Sequence, residues 1–228
     1  MTKHIGIVAV SAEDAALCYR TICVEGAELL GRHAHPEVTM HTYPLADYMR
    51  HIDAGKWDEV GEMLLSSAEK LRKAGADLLI CPDNTAHQAV DIARDRSPLP
   101  WLHIAEEVAT VAAERGFKRL LVLGTRYLME GPVYPAKLRP KGIEYEVPDA
   151  EARERINTVT FDELVYGRFE ESARSDFKHV IRQAHRACDA AILGCTEFPL
   201  LISDADSPIP TLDSTRILAR AALRAAVR

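Results

Sequence analysis

Short apolar runs alternate along the chain with longer stretches in which apolar residues recur every three or four positions. The runs IGIVAV, DLLIC, LLVL and AAIL are continuously apolar, which is typical of parallel strands buried on both faces. The longer stretches have the spacing of amphipathic helices, as in Val60, Leu64 and Leu71. Strands that alternate with helices predict a doubly wound α/β architecture. The predicted strands are 5–10, 38–43, 77–81, 99–103, 119–123, 143–146, 189–193 and a short one near Ile209, followed by a helix over 213–228.

The two halves of the chain have similar segments in the same order. Three segments of the first half, 3–11, 38–44 and 76–85, match 118–126, 143–148 and 188–197, with offsets of about 115, 105 and 112 residues. The repeat predicts two pseudo-symmetric, Rossmann-like domains with an active site in the cleft between them. We expect residues 1–98 and 99–210 to form these domains, with a C-terminal helix over 211–228 packing back on the first. The alternative is that any two βαβ units resemble each other.

Composition narrows the class of protein. The 228 residues are 47% hydrophobic and 27% charged, with a net charge of −6, which excludes a disordered chain and argues against a broad nucleic-acid-binding surface. No apolar run reaches the length of a membrane span, and the first residues, MTKHIGIVAV, lack the pattern of a signal peptide. We therefore expect a cytoplasmic protein. Five cysteines without a CxxC pair predict neither a disulfide framework nor a structural metal site.

Candidate chemistry lies where two matched strands end. The third matched pair aligns Asp83 with Cys195, each after a buried strand and before a predicted helix. Ligands bind at the carboxyl ends of strands in open α/β sheets, so both groups are expected to face one cleft. Helix-start N–H groups and polar side chains there can bind a small carboxylate. This set comprises Asn84, Thr85, Thr196 and Glu197. An α-carbon held between an acid and a base suits proton exchange, with the developing charge stabilised by the same donors.

Four segments resemble the cofactor-independent aspartate/glutamate racemases, and the resemblance covers nearly the whole chain. They are NTAH (84–87), GTRYLMEGPVY (124–134), FDELVYGRF (161–169) and LGCTEFPLL (193–201). The resemblance implies a racemase, which is an isomerase, that needs neither pyridoxal phosphate nor metal and is often a homodimer. It also implies two catalytic cysteines. Cys195 matches the second, whereas Asp83 stands at the position of the first, so the chain is an atypical member. The N-terminal glycine-rich turn is replaced by AVSAE (9–13), and DSTRILA (213–219) lacks a histidine often found there.

The unlike pair Asp83 and Cys195 has an energetic consequence. Reference pKa values of roughly 3.9 for Asp and 8.5 for Cys differ by about 4.6, or roughly 6 kcal/mol in favour of carboxylate plus thiol. That resting state allows Asp83 to act as base and Cys195 as acid. The reverse direction requires the opposite protonation states, so we hypothesise that burial raises the pKa of Asp83 and helix N–H groups lower that of Cys195. The remaining cysteines are expected to be small buried hydrophobic residues: Cys18, Cys23, Cys81 and Cys188.

Five further residues have both a functional and a structural interpretation. The resemblance suggests that Arg50 and Arg168 bind the side-chain carboxylate of the substrate, with solvated surface arginines as the alternative. Ser11 and Thr125 are expected to line the cleft, although Ser11 could instead only cap its helix. Glu197 could tune Cys195 or only interact with the helix dipole.

The favoured function is racemisation of aspartate or glutamate, with a small amino acid or dicarboxylate as the only partner besides a second subunit. One alternative is a related one-cysteine isomerase or decarboxylase of a small carboxylate or dicarboxylate. The wider superfamily that the chain resembles includes hydantoin racemases, maleate isomerases and single-cysteine arylmalonate decarboxylases. The other is a non-catalytic protein that binds a small carboxylate.

Overall fold

Two parallel sheets of four strands organise the chain, and a computed structural model describes residues 2–228. The first sheet has the order β2-β1-β3-β4 and the second β6-β5-β7-β8. Every strand pair in both sheets is parallel. The predicted pair of parallel α/β domains is therefore confirmed. The strands are Ile5–Ala9 (β1), Val38–Thr42 (β2), Leu78–Ile80 (β3), Trp101–Leu102 (β4), Arg119–Leu123 (β5), Glu144–Glu146 (β6), Ala190–Leu193 (β7) and Thr211–Asp213 (β8).

The helices connect the strands and cover the sheets. They are Ala12–Leu30 (α1), Leu45–Asp53 (α2), Trp57–Lys73 (α3), His87–Ala93 (α4), Ile104–Glu114 (α5), Arg126–Glu130 (α6), Val133–Leu138 (α7), Ala150–Asp162 (α8), Glu171–Ala184 (α9), Phe198–Leu201 (α10) and Ser214–Ala226 (α11). Across the described part of the chain, we find no helix that combines the length and apolarity needed to cross a membrane.

The chain divides into two compact units. One comprises the described residues up to Glu107 together with Thr215–Arg228, and the other comprises Val108–Ser214. In the first unit, β1 and β3 bury side chains such as Ile7 and Ile80 against α1 and against Leu218 of α11. The second unit has a core of its own, in which β5 and β7 pack with α8, α9 and α10. Each sheet therefore has a hydrophobic core that holds its strand ends in place.

Two strands differ from the sequence prediction because of proline. The last strand was expected near Ile209, but Pro208 and Pro210 flank that residue, and proline cannot donate a ladder hydrogen bond. The strand begins after Pro210, and the final helix begins at Ser214 rather than at residue 213. The strand expected over 99–103 is only Trp101–Leu102, directly after Pro100.

The two sheets repeat each other in hydrogen bonding as well as in order. Asp77 accepts the N–H of His4 at 2.7 Å, and Asp189 in the second sheet accepts the N–H groups of Lys118 at 2.5 Å and Arg119 at 3.0 Å. Each aspartate therefore fastens the start of its strand to the neighbouring one.

The strand register gives the equivalent positions in the two sheets. Leu78 pairs with Ile5, and Ala190 pairs with Leu120 in the second sheet. The same offset carries Asp83 onto Cys195, as expected from the sequence. The sequence match for the second strand of each half paired Val38 with Ile143. In the structure Val38 corresponds to Tyr145, so the match was two residues out of register.

Candidate active site

Each sheet has one point where the strand order reverses, between β1 and β3 in the first and between β5 and β7 in the second. Connections leave such a point in opposite directions and open a crevice at the carboxyl ends of the strands. Ser11 and Asp83 follow β1 and β3, and Thr125 and Cys195 follow β5 and β7. Each sheet thus has two of the predicted residues at its own switch point.

Asp83 is half-buried and lies in the loop between β3 and α4. One of its carboxylate oxygens, Oδ1, accepts the backbone N–H of Ala86 at 2.8 Å. A hydrogen bond to a carboxylate oxygen favours the charged form. The thiol of Cys81, 3.9 Å from the backbone oxygen of Asp83, is buried, and burial followed by the charge of Asp83 raises its pKa well above the ordinary value. Cys81 is therefore a buried core thiol that stays protonated, and Asp83 carries the carboxylate of this loop.

A buried histidine spans the loop that contains Asp83. The Nε2–H of His87 donates to the backbone oxygen of Cys81 at 2.8 Å, because a carbonyl oxygen can only accept. Its ring packs edge-on against His103, with centroids 4.3 Å apart, and His103 in turn lies 3.5 Å from Asp91. His87 therefore ties the first residue after β3 to the start of α4 and limits how far the loop can move.

Tyr48 is a residue near this loop that the sequence reasoning missed. It lies on α2 and is fully buried, and burial, followed by its proximity to the Cys81 sulfur and the Asp83 carboxylate, raises its pKa far above the ordinary value. Tyr48 is therefore a neutral hydroxyl close to the Asp83 loop. The available signal was its spacing of four residues from Ile52, which is typical of the inward face of a helix.

Cys195 donates its thiol proton to a buried carboxylate. The distance from Sγ to Oε2 of Glu197 is 2.9 Å, and the Thr196 hydroxyl donates to the same oxygen at 3.2 Å. Glu197 is only 2% exposed, and a buried carboxylate needs such donors to offset its lost hydration. A thiolate at this position would face the negative charge of Glu197, so the arrangement favours the protonated sulfur.

The helix after Cys195 is short. The helix predicted after Cys195 is α10, Phe198–Leu201, which is a single turn, so its dipole is smaller than that of a longer helix. Glu197 interacts directly with the thiol rather than only with a helix end. The hydrogen bond supports the interpretation in which Glu197 acts on Cys195. The short helix weakens the alternative, in which Glu197 interacts only with the helix dipole.

The turn before Cys195 requires a residue without a side chain. A Cβ on Gly194 would lie 2.6 Å from the backbone oxygen of Leu123 and 2.5 Å from the Leu128 side chain. The backbones of β5 and β7 approach closely here, and the N–H of Gly194 donates to that same oxygen at 2.8 Å. The close contact fixes the position at which Cys195 leaves the sheet.

The remaining predicted ligands of the carboxylate are held in the loops after β3 and β7. Asn84 and Thr196 are buried, and Thr85 is half-buried. Ser11 is the N-cap of α1, where its side chain accepts an N–H at 3.4 Å, and Thr125 has the same role in α6. Both hydroxyls thus cap helices. That they also line a cleft stays a prediction.

The two arginines are exposed. Arg50 donates to Asp47 at 3.0 Å, and its side chain is 70% exposed. Arg168 donates to the backbone oxygen of Asp162, and its guanidinium lies 6.0 Å from the ring of Tyr166. Each guanidinium has partners on its own surface segment.

Three of the four remaining cysteines are buried as expected. Cys23 is the exception, because it is only half-buried. It lies on the outer side of α1, the side that also carries the exposed Tyr19. In the part of the chain that the structure describes, the five cysteines form no disulfide; they are Cys18, Cys23, Cys81, Cys188 and Cys195.

Comparison with known proteins identifies the family. A sequence model described as Asp/Glu/hydantoin racemase matches residues 7–222. The chain belongs to the Asp/Glu/hydantoin racemase family. The broad specificity amino-acid racemase RacX of Bacillus subtilis is 25% identical over 187 residues, which cover 82% of this chain and 80% of RacX. The suspected racemase resemblance and the predicted enzyme class, an isomerase of amino acids, are confirmed.

Solved structures of family members have the same fold. A protein from Yersinia pestis assigned to the Asp/Glu racemases is 30% identical to this chain, with a TM-score of 0.91. The match covers 99% of this chain and 100% of the Yersinia chain. An aspartate racemase homologue from Pyrococcus horikoshii is 27% identical with a TM-score of 0.85, over 99% and 100% of the two chains. The whole chain therefore has the architecture of a racemase.

Proposed function

We propose that this family member exchanges the α-proton of aspartate or glutamate, with Asp83 and Cys195 as the two acid–base groups. The observation that carries the proposal is the difference between two equivalent strand ends. At one, Asp83 accepts the Ala86 N–H as a carboxylate does, and at the other, Cys195 donates a proton to Glu197. One is prepared as a base and the other as an acid.

The reaction then begins at Asp83. The Asp83 carboxylate takes the α-proton from one face of the substrate, and the Cys195 thiol gives its proton to the opposite face. The atoms balance, because Asp83 ends protonated and Cys195 ends as thiolate. The thiolate would lie beside the charge of Glu197, which adds to the roughly 6 kcal/mol that separates the two reference acidities. We therefore expect a higher kcat for the enantiomer whose α-proton faces Asp83, with kcat/KM equal for both enantiomers because their free energies are equal.

The loop residues Asn84, Thr85 and Thr196 are proposed to bind the α-carboxylate, where donors stabilise the charge that develops on proton removal. Arg50 and Arg168 are proposed to bind the carboxylate of the side chain. Arg50 must first leave Asp47, but an exposed ion pair of this kind is worth only about 0–1 kcal/mol, so the exchange costs little. Arg50→Ala and Arg168→Ala should each raise KM for aspartate more than for alanine.

The test is incubation of each enantiomer of aspartate and glutamate with the protein in deuterated water, followed by proton NMR and chiral chromatography. Racemisation places deuterium on the α-carbon without release of carbon dioxide. Cys195→Ser should lose the racemisation of both enantiomers and the deuterium uptake of the enantiomer whose α-proton faces Cys195. Carbon dioxide release would instead identify a decarboxylase. Thermal stabilisation by the amino acid without any α-exchange would identify a carboxylate-binding protein and refute the proposal.

A further inference from the structure

A hydrogen-bonded cluster outside the candidate active site joins the end of β2 to α3. It consists of His41, Tyr43, Ser66, Ser67 and Lys70. The Lys70 Nζ donates to the Tyr43 hydroxyl oxygen at 2.6 Å and to Nε2 of His41 at 3.0 Å, and it also lies 4.2 Å from the centre of the Tyr43 ring. The Tyr43 and Ser66 hydroxyls are 2.8 Å apart. The phenolic oxygen therefore accepts from Lys70 and shares a second hydrogen bond with the Ser66 hydroxyl.

These contacts determine the chemistry of each group. Lys70 can only donate, so His41 accepts with Nε2, and its Nδ1–H donates to Ser67 at 3.0 Å. Burial followed by the charge of Lys70 lowers the pKa of His41, so its ring is neutral with both nitrogens engaged. The hydrogen bonds from Lys70 and then Ser66 lower the pKa of Tyr43. The phenol therefore ionises more readily than an ordinary tyrosine.

We propose that Tyr43 is a nucleophilic site that accepts activated acyl groups from esters or acyl phosphates. The phenolate oxygen attacks the acyl carbon, the bond to the leaving group breaks with its electron pair, and the phenolic proton passes to solvent. Tyr43 is half-exposed and Ser66 and Lys70 are exposed, so an acyl donor can reach the oxygen. The Nζ of Lys70 is engaged with both Tyr43 and His41, which directs the acyl group to oxygen rather than to the amine.

The chain contains its own comparison tyrosines. Tyr166 is 74% exposed and has no lysine contact in the part of the chain that the structure describes. Tyr19 is 46% exposed, but its hydrogen bond with Cys23 raises its pKa. Labelling governed by exposure alone would favour Tyr166, whereas labelling governed by the Lys70 contact would favour Tyr43.

The test uses p-nitrophenyl acetate at neutral pH, with the acetylated positions quantified by peptide mass spectrometry. We expect Tyr43 to be acetylated faster than Tyr166, because the hydrogen bond from Lys70 to the phenolic oxygen favours the phenolate of Tyr43. Lys70→Met should remove this advantage. Lys73→Met is the matched control, because Lys73 lies on the same helix and contacts Glu69 rather than Tyr43.

Three results would overturn the proposal. They are equal or faster acetylation of Tyr166, acetylation of the Lys70 amine instead of Tyr43, and an equal loss in Lys70→Met and Lys73→Met. Circular dichroism on both variants establishes that the fold is kept. The readout does not depend on racemase activity, so the outcome is independent of the proposed function.

Discussion

Replacing Glu197 by Gln tests the contact that holds the Cys195 thiol. The substitution keeps an oxygen that can accept from the thiol and from Thr196, but it removes the negative charge 2.9 Å from the sulfur. Because that charge opposes formation of a thiolate, we expect Cys195 to become more reactive in Glu197→Gln.

The size of the effect follows from the type of hydrogen bond. A bond to a charged acceptor contributes about 1.5–3 kcal/mol and a neutral one about 0.5–1.5 kcal/mol. The difference, about 1.5 kcal/mol, corresponds to about a tenfold larger thiolate fraction at neutral pH. The rate of alkylation should increase by the same factor.

The assay measures alkylation of Cys195 by iodoacetamide at several pH values, with the modified peptide identified by mass spectrometry. Peptide identification separates Cys195 from Cys23, the other half-buried thiol. Glu146→Gln is the matched control, because Glu146 lies 3.9 Å from the thiol of Cys188. That variant should leave the alkylation of Cys195 unchanged.

An unchanged or slower alkylation of Cys195 in Glu197→Gln would refute the reasoning. A slower rate would mean that Glu197 draws the proton from sulfur and promotes the thiolate, the opposite of the role argued from the structure.

Substitutions at three further positions test how a loop, a helix and a strand are held. His87→Leu leaves the backbone oxygen of Cys81 without its donor and should cost about 1–3 kcal/mol of unfolding free energy in urea, whereas His87→Gln keeps a donor and should cost less. Asp149 caps α8 by accepting a backbone N–H at 2.9 Å, so Asp149→Ala should cost about 1 kcal/mol in the same measurement, and no loss would contradict the cap. The hydrogen bond from the Lys118 N–H is the main cause of the lowered pKa of Asp189. The ionised Asp189 therefore stabilises the folded protein above about pH 4, and this stabilisation is lost as the pH falls through the lowered pKa of Asp189 in the folded protein. The instability of Asp189→Asn should therefore shrink in acid, and a constant difference from pH 7 to about pH 2 would contradict this.

Strand positions and the equivalence of Asp83 and Cys195 were predictable from sequence for a physical reason. Strands buried on both faces must be continuously apolar, so they are visible without an alignment. Their repetition fixes equivalent residues, and the register of Leu78 and Ala190 bears this out. The errors arose where proline sets the strand limits, near Ile209.

The contacts of the candidate site were not predictable in the same way. The hydrogen bond from Cys195 to Glu197 depends on side-chain directions in a turn, which periodicity does not report. The burial of Tyr48 near Asp83 depends on how α2 packs against α3. The exposure of Arg50 is likewise set by which face of α2 turns outward.

The central claim is that Asp83 and Cys195 each serve one face of the substrate, and exchange measured for each enantiomer separately tests it most directly. Deuterium uptake at the α-carbon is followed in Asp83→Asn and in Cys195→Ser, starting from pure L- or pure D-aspartate. We predict that Asp83→Asn abolishes proton removal from one enantiomer and Cys195→Ser from the other. Uptake that survives from both enantiomers in either variant would contradict the account.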